Sequence, residues 1–133
     1  IELTIENTLI HDNYGTKGGG FYVEGGLSKI YLKDTLIALN DALSGGGLYC
    51  DSAQLLMYGN SGVSINNAIG TSLNGSGGGV YLTNNCEFNL FSGTSGGLFD
   101  FRGIAGNTAN RDGGCRFGST SFINGIFIYW RIW

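Results

Sequence analysis

The sequence predicts an all-β fold, a parallel β-helix (solenoid) of about four rungs. Three observations predict it: an internal repeat, a high glycine content in an ordered chain, and short segments in which apolar and polar residues alternate. The repeat appears when the chain is shifted by 27 residues, which places "TLIHDNYGTKGGGFYV" over "TLIALNDALSGGGLYC". Two further copies follow in "VSINNAIGTSLNGSGGGVYL" and "IAGNTANRDGGCRF", so the repeat covers most of the chain.

Composition narrows the possible classes of protein. The 133 residues suit one domain. The chain has 25 glycines but no proline, which excludes collagen. Its hydrophobic content of 42% argues against disorder. The formal net charge is −3 and basic residues are not clustered, so nucleic acid is not an expected partner. We expect no membrane span in this segment, because the most apolar run, "FINGIFIYWRIW", is short and contains Asn124, Gly125 and Arg131.

Each repeat unit is predicted to contain three short strands. Glycine triplets, asparagine and β-branched residues disfavour helix. The strands are a Gly-led one such as "GGGFYV", an alternating one such as "KIYLK", and a third such as "LIALN". Such short strands cannot close a sheet within one unit, so each must pair with its counterpart in the next unit, about 4.8 Å away. The glycine triplet marks a tight corner.

Two ladders are predicted from positions that recur in successive units. The asparagine ladder, at the end of the third strand, consists of Asn13, Asn40, Asn66 and Asn107. The tyrosine ladder, on the outward position of the Gly-led strand, consists of Tyr22, Tyr49 and Tyr81, with Arg116 next in the column. Amides can hydrogen-bond to their copies above and below, and aromatic rings can stack.

These motifs resemble a known family. The spacing of "IALNDALSGGGLY", "VSINNA" with "GGGVY", and "IAGNTANRDGGCR" is similar to the paired FxxN and GGAI repeats of the chlamydial polymorphic outer membrane proteins. The resemblance implies a right-handed parallel β-helix, and it implies a cell-surface adhesin or autotransporter passenger. This chain has Ile or Val where that family has Phe.

The titratable residues predict no catalytic, cofactor or metal site. His11 is the only histidine, and no triad forms around its column, so we interpret it as a surface residue. Glu24 and Asp51 share a column, but the next members are Thr83 and Gly118, so the acidic row stops after two. Solvated turn acids are the preferred interpretation over a calcium site.

The three cysteines, Cys50, Cys86 and Cys115, are interpreted as free thiols. Cys50 and Cys115 point inward in different columns, and Cys86 lies near a turn, so no pair is expected to form a bridge. The alternative is a disulfide framework.

The chain is expected to divide into β-helix repeats over 1–118, with Gly-Gly-Gly-x-Tyr units ending near 23, 50, 82 and 117, and a terminal strand or cap over 119–133. In the terminal segment the exposed aromatic residues suggest a partner-contacting surface. This surface consists of Phe127, Tyr129, Trp130 and Trp133.

The function predicted from these observations is a non-enzymatic, extracellular or cell-surface structural or adhesive β-helix. Its expected partners are other copies of itself, stacked end to end into a filament, or flanking rungs of a longer solenoid, with a host surface protein or glycan as a further partner. The alternative function is a carbohydrate-active enzyme of the polysaccharide lyase or hydrolase type on the same fold, which would need a groove of convergent Asp, Lys and Arg.

Overall fold

The computed structural model describes residues 1–71, 75–92, 103–105, 107–109, 115–117 and 122–125. Together these residues form seventeen strands. The first rung contains β1 (Glu2–Glu6), β2 (Leu9–His11), β3 (Tyr14–Lys17) and β4 (Phe21–Glu24). The second rung contains β5 (Lys29–Lys33), β6 (Leu36–Ala38), β7 (Asp41–Ser44) and β8 (Leu48–Asp51). The third rung contains β9 (Gln54–Gly59), β10 (Gly62–Ser64), β11 (Asn67–Ala68) and β12 (Val80–Thr83). The fourth rung contains β13 (Glu87–Ser92), β14 (Gly103–Ala105), β15 (Thr108–Ala109) and β16 (Cys115–Phe117), and β17 (Phe122–Gly125) follows it.

The strands form four parallel sheets, because each strand pairs with the strand four places later in the chain. Sheet A has the order β1-β5-β9-β13-β17, and sheets B, C and D begin with β2, β3 and β4 and continue in the same way. The pairing register is the one that the 27-residue shift predicts, with Leu3 opposite Ile30 and Tyr22 opposite Tyr49. The parallel β-solenoid of about four rungs is therefore confirmed.

Each complete rung has four strands, so the expectation of three per unit is wrong. The segment "LIALN" does not run on as one strand: β6 ends at Ala38, and β7 begins at Asp41. Between them Leu39 adopts a left-handed backbone conformation with φ of 58°. This turn separates sheet B from sheet C, and the residues after the asparagine form a short strand instead of a loop.

Every corner between sheets contains a residue with positive φ in each of the first three rungs, because a left-handed residue turns the chain sharply between two extended segments. The corner from A to B has Asn7, Asp34 and Gly59; from B to C, Asp12, Leu39 and Ile65; from C to D, Gly18, Gly45 and Gly77; and from D to A, Gly25, Ser52 and Asn84. Leu39 and Ile65 are unusual there, since a left-handed conformation costs a branched residue about 1 kcal/mol or more.

The core lies between the four sheets and is built from inward columns. The sheet D columns supply Leu48 and Val80 from one position and Cys50 and Leu82 from another, all fully buried. Among the residues whose burial is described, the largest fully buried side chain is Phe88 of β13, which lies opposite Leu55 in the column. The glycine triplets 18–20, 45–47 and 77–79 lie at the corner from sheet C to sheet D, where adjacent rungs approach closely.

The third rung contains an insertion that does not disturb its register. Ala42 precedes Gly45 by three residues, whereas Ala68 precedes Gly77 by nine, which makes six inserted residues. Within the insertion the amides of Gly70 and Gly75 both donate to the carbonyl of Leu43, at 3.2 and 2.6 Å. The chain thus leaves and rejoins the rung at one carbonyl of the rung below.

Candidate functional site

The asparagine column forms a continuous hydrogen-bonded ladder at the corner between sheets B and C. The Asn40 backbone N–H and its Nδ2 both donate to Asn66 Oδ1, each at 3.0 Å. The same pair of donations runs from Asn13 to Asn40 and from Asn66 to Asn107. The ladder therefore has a direction: each amide oxygen accepts from the rung below it.

The ladder also satisfies backbone carbonyls that the corner would otherwise leave unpaired. Nδ2 of Asn40 donates to the carbonyls of Ala38, at 2.9 Å, and Ile10, at 3.0 Å. Because Asn40 and Asn66 are fully buried, each of these bonds replaces a bond to water that the interior cannot supply.

The last glycine of each triplet makes room for this ladder. A Cβ on Gly47 would lie 2.7 Å from Asn66 Nδ2 and 2.7 Å from the Gly79 carbonyl oxygen. Gly20 and Gly79 occupy the same position against Asn40 and Asn107. The asparagine and the glycine of the repeat are thus two halves of one contact, which explains why they recur together.

The tyrosine column lies on the outer face of sheet D. The rings of Tyr49 and Tyr81 stack with centroids 4.7 Å apart and an angle of 3° between their planes. Tyr22 and Tyr49 are 5.6 Å apart and tilted by 39°. Tyr22 is 42% exposed, whereas Tyr49 is 7% exposed although its column faces outward, because rings from both neighbouring rungs cover it.

Two charged residues contact this column that sequence reasoning did not assign to it. Lys17 Nζ lies 5.0 Å from the centroid of Tyr49, within the range of a cation–π contact. The Tyr22 hydroxyl donates to Glu24 Oε2. That hydrogen bond, with burial and the Glu24 charge as further causes, raises the pKa of Tyr22 to about 12. Burial raises the pKa of Tyr49, with the Tyr81 and Asp51 charges as lesser causes. The sequence does contain a signal for the Tyr22–Glu24 contact. Residues two apart on a strand lie on the same face, and Glu24 follows Tyr22 by two residues.

The carboxylates of the acidic column next to the tyrosines, Glu24 and Asp51, accept hydrogen bonds from neighbouring side chains. Asp51 Oδ1 accepts from the Ser52 hydroxyl at 2.8 Å and from Asn84 Nδ2 at 3.0 Å. Within the ranges that the structure describes, no group of three or more His, Cys, Asp or Glu side chains is placed to hold a metal ion. His11 is a half-exposed residue whose Nδ1 lies 2.5 Å from Asp12 Oδ2.

The expectation of free thiols is wrong for two of the three cysteines. Cys50 and Cys86 form a disulfide, with their Cα atoms 6.0 Å apart. Cys86 directly precedes Glu87, which pairs with Gln54, so it occupies the column of Ala53 on the next rung. The bridge crosses the corner from sheet D to sheet A and joins the second rung to the third. Comparing residues within single columns missed it, because its two ends lie in different columns. The Cys115 side chain lies outside the description.

The outer face of sheet A carries scattered charges and a shallow groove. Lys33 Nζ lies 3.7 Å from Glu6 Oε1, its partner in the register of β1 and β5, and Gln54 Nε2 donates to Glu87 Oε2 at 3.5 Å. The groove measures about 170 Å³. It is lined by Lys29, Ile30, Tyr31, Gln54, Leu55, Leu56 and Asn89.

The aromatic surface predicted for the terminal segment falls outside the part of the chain that the structure describes. Phe127, Tyr129, Trp130 and Trp133 lie outside the described residues, and of the segment 119–133 only the backbone of β17 is described, where it pairs with β13. In the part of the chain that is described, no helix is long and apolar enough to cross a membrane.

At the other end of the stack, the first rung presents strand edges and apolar side chains. Strands β1 to β4 each pair on one side, with the strands of the second rung. Leu3, Leu9 and Tyr14 are exposed large apolar or aromatic residues of this rung. Asn13 donates upward to Asn40, and its own Oδ1 receives no hydrogen bond from any described residue.

The candidate functional site consists of the asparagine ladder at the corner between sheets B and C, the tyrosine ladder on sheet D, and the Cys50–Cys86 disulfide on the core side of sheet D. They fix the spacing of adjacent rungs and leave sheet D with a regular polar and aromatic outer face. Comparison with protein-family models, with curated proteins and with solved structures finds no match to this chain.

Proposed function

We propose that this chain is a non-enzymatic structural or adhesive solenoid of an extracellular or cell-surface protein, and that its rungs stack on flanking rungs or on another copy to build a longer filament. The observation that carries the proposal is the directional asparagine ladder. Each rung offers an amide oxygen downward and two N–H donors upward, so rung addition repeats one contact.

Two further features support this function. Leu3 and Asn13 are exposed on the first rung, but their columns are buried in the second rung, at Ile30 and Asn40, so a further rung would cover them. The Cys50–Cys86 disulfide is of a kind that persists in oxidising compartments, which supports an extracellular setting. The similarity of the repeat to chlamydial surface-protein repeats points in the same direction.

Sedimentation velocity over a range of concentrations, with electron microscopy of the same samples, tests the stacking. We expect concentration-dependent, end-to-end assembly of the isolated chain. Leu3→Lys places a charge on the stacking surface and should reduce assembly, while the matched control Leu27→Lys changes a 90% exposed turn residue and should not. Trp130→Asp probes the other end.

A chain that stays monomeric at every concentration would contradict stacking between copies. Equal assembly of wild type, Leu3→Lys and Trp130→Asp would contradict the assignment of the two ends as the contact surfaces.

A further inference from the structure

The tyrosine ladder brings together side chains that can be oxidised and joined. Phenols couple through their ring carbons when two phenoxyl radicals meet. Tyr49 and Tyr81 are opposite each other in the register of β8 and β12, and their parallel rings stack at 4.7 Å. The strands hold the two rings together before any reaction, which makes the coupling effectively unimolecular.

The other described tyrosines lack such a partner. Tyr14 lies opposite Asp41, Tyr31 opposite Leu56, and Tyr58 opposite Lys33. Tyr22 does neighbour Tyr49, but its ring is farther away and tilted. Among the described residues, the Tyr49–Tyr81 pair therefore has the closest and most parallel geometry for ring-to-ring coupling.

We propose that Tyr49 and Tyr81 are a site of oxidative cross-linking, at which a haem peroxidase with hydrogen peroxide joins the two rings as dityrosine. Each phenol loses one electron and one proton to give a phenoxyl radical. The two radicals combine through the ring carbons next to the hydroxyl-bearing carbons, and two ring hydrogens move to the oxygens as the rings become aromatic again. The two electrons and two protons reduce one hydrogen peroxide to two waters.

Tyr22 is the exposed entry point of this ladder. An oxidant can reach its ring, and Glu24, which already accepts the hydrogen bond from its hydroxyl, takes the phenolic proton as the electron leaves. An electron then passes from Tyr49 to the Tyr22 radical across the 5.6 Å contact, Tyr22 takes its proton back from Glu24, and Tyr49 releases its phenolic proton to solvent. Tyr81 gives an electron and its phenolic proton to the Tyr49 radical across the stacked contact, and a second oxidation through Tyr22 restores the radical on Tyr49. Tyr22 is thus oxidised first, and the product is the dityrosine bond between Tyr49 and Tyr81.

The resulting bond would reinforce the junction that the disulfide already joins. Cys50 follows Tyr49 on β8 and points inward, to a bridge with the third rung, whereas Tyr49 points outward. Cross-linking would therefore fasten the second and third rungs on both faces of one strand. This inference does not depend on the proposed function.

The experiment treats the purified, disulfide-intact chain with a haem peroxidase and hydrogen peroxide at low protein concentration. Dityrosine fluorescence measures the yield. After disulfide reduction, a protease that cuts after Asp and Glu releases Tyr49 in fragment 42–51 and Tyr81 in fragment 52–87. We expect these two fragments to be joined, with a mass two hydrogens below their sum, and tandem mass spectrometry to place the bond on Tyr81 and not on Tyr58.

Conservative variants separate the roles. Tyr49→Phe keeps a stacking ring but cannot form a phenoxyl radical, so the intramolecular product should fall to background. Tyr81→Phe should remove the link between fragments 42–51 and 52–87. Tyr22→Phe should slow the formation of this link but leave it between the same two tyrosines. Tyr58→Phe should have no effect on its rate or position. In denaturant the preference for Tyr49 and Tyr81 should disappear.

A full yield from Tyr49→Phe, a bond placed on Tyr14 or Tyr58, or a product formed only between molecules would each overturn the proposal. Circular dichroism of each variant before oxidation confirms that the fold is kept, so that a lost product reports the missing phenol.

Discussion

The first and second rungs use similar residues in the same columns, yet they differ in burial. Leu3 on the first rung is 42% exposed, whereas Ile30 directly above it is 4% exposed. Asn13 is exposed and Asn40 is fully buried. The difference arises because the second rung lies between two neighbours. Burial in this molecule is thus a property of adjacent rungs and not of a residue type, so stability should be a sum of nearest-neighbour contacts.

Removing the disulfide should produce the largest loss. The Cys50–Cys86 bridge ties the second rung to the third over a sequence separation of 36, and closing such a loop contributes about 4 kcal/mol through the entropy of the unfolded chain. The Cys50→Ala/Cys86→Ala variant should lose this amount in urea unfolding. Reductant should lower the urea midpoint of the wild type and leave that of the variant unchanged. An identical midpoint for the wild type with and without reductant would contradict the bridge.

The apolar columns give the next test. Leu55, on the third rung, and Leu3, on the first, occupy one column through Ile30. Leu55→Ala should lower the free energy of unfolding by about 3 kcal/mol, since it leaves a cavity between rungs, and Leu3→Ala by about 1 kcal/mol. Urea denaturation measures both. Similar losses would show that the first rung is already covered in solution by another rung.

The asparagine ladder sharpens the comparison with smaller effects. Asn40→Ala removes the partner of the Asn13 backbone N–H and of the Ile10 and Ala38 carbonyls, while Asn13 Nδ2 keeps its bond to the His11 carbonyl, and we expect a loss of about 2 kcal/mol. Asn13→Ala, in the same column, should cost about 0.5 kcal/mol because that site is exposed. Thermal unfolding of the two variants side by side is the measurement, and equal shifts would argue against a cooperative ladder.

The smallest expected effect concerns alkaline pH. The Glu24 hydrogen bond raises the pKa of Tyr22 from 10.0 to about 12, so the folded state keeps this proton where the unfolded chain has lost it. The stabilising contribution is complete below pH 10 and is lost as pH rises through about 12. Urea midpoints measured across this range should fall, and less steeply in Tyr22→Phe. If the urea midpoint falls equally steeply with pH in the wild type and in Tyr22→Phe, Tyr22 does not contribute to the loss of stability at alkaline pH.

The sequence was sufficient to predict the architecture and the columns, because the Gly triplet and the asparagine recur at a fixed offset and parallel pairing carries that offset into space. It was insufficient at the corners. Leu39 is an apolar residue without turn chemistry, yet it takes the left-handed conformation that ends β6. Its neighbours in the column, Asp12 and Ile65, do the same, so the fold imposes this conformation on the position.

The disulfide and the charged neighbours of the tyrosines were missed for a related reason. Column reasoning relates residues that lie directly above one another. Cys50 and Cys86 meet diagonally across a corner, and Lys17 reaches Tyr49 from β3, one sheet away. Contacts of this kind depend on how sharply the chain turns between sheets, which the repeat spacing does not encode.

The two amides that converge on the carbonyl of Leu43 make the insertion in the third rung a natural grafting point. A segment that leaves and returns at a single anchor transmits no strain to the strands on either side, and lengthening it further costs only the slowly growing entropy of closing a longer loop. A foreign peptide placed between Gly70 and Gly75 would therefore have both of its ends held at the carbonyl of Leu43, and we expect the pairing of β11 and β12 with the second rung to be kept.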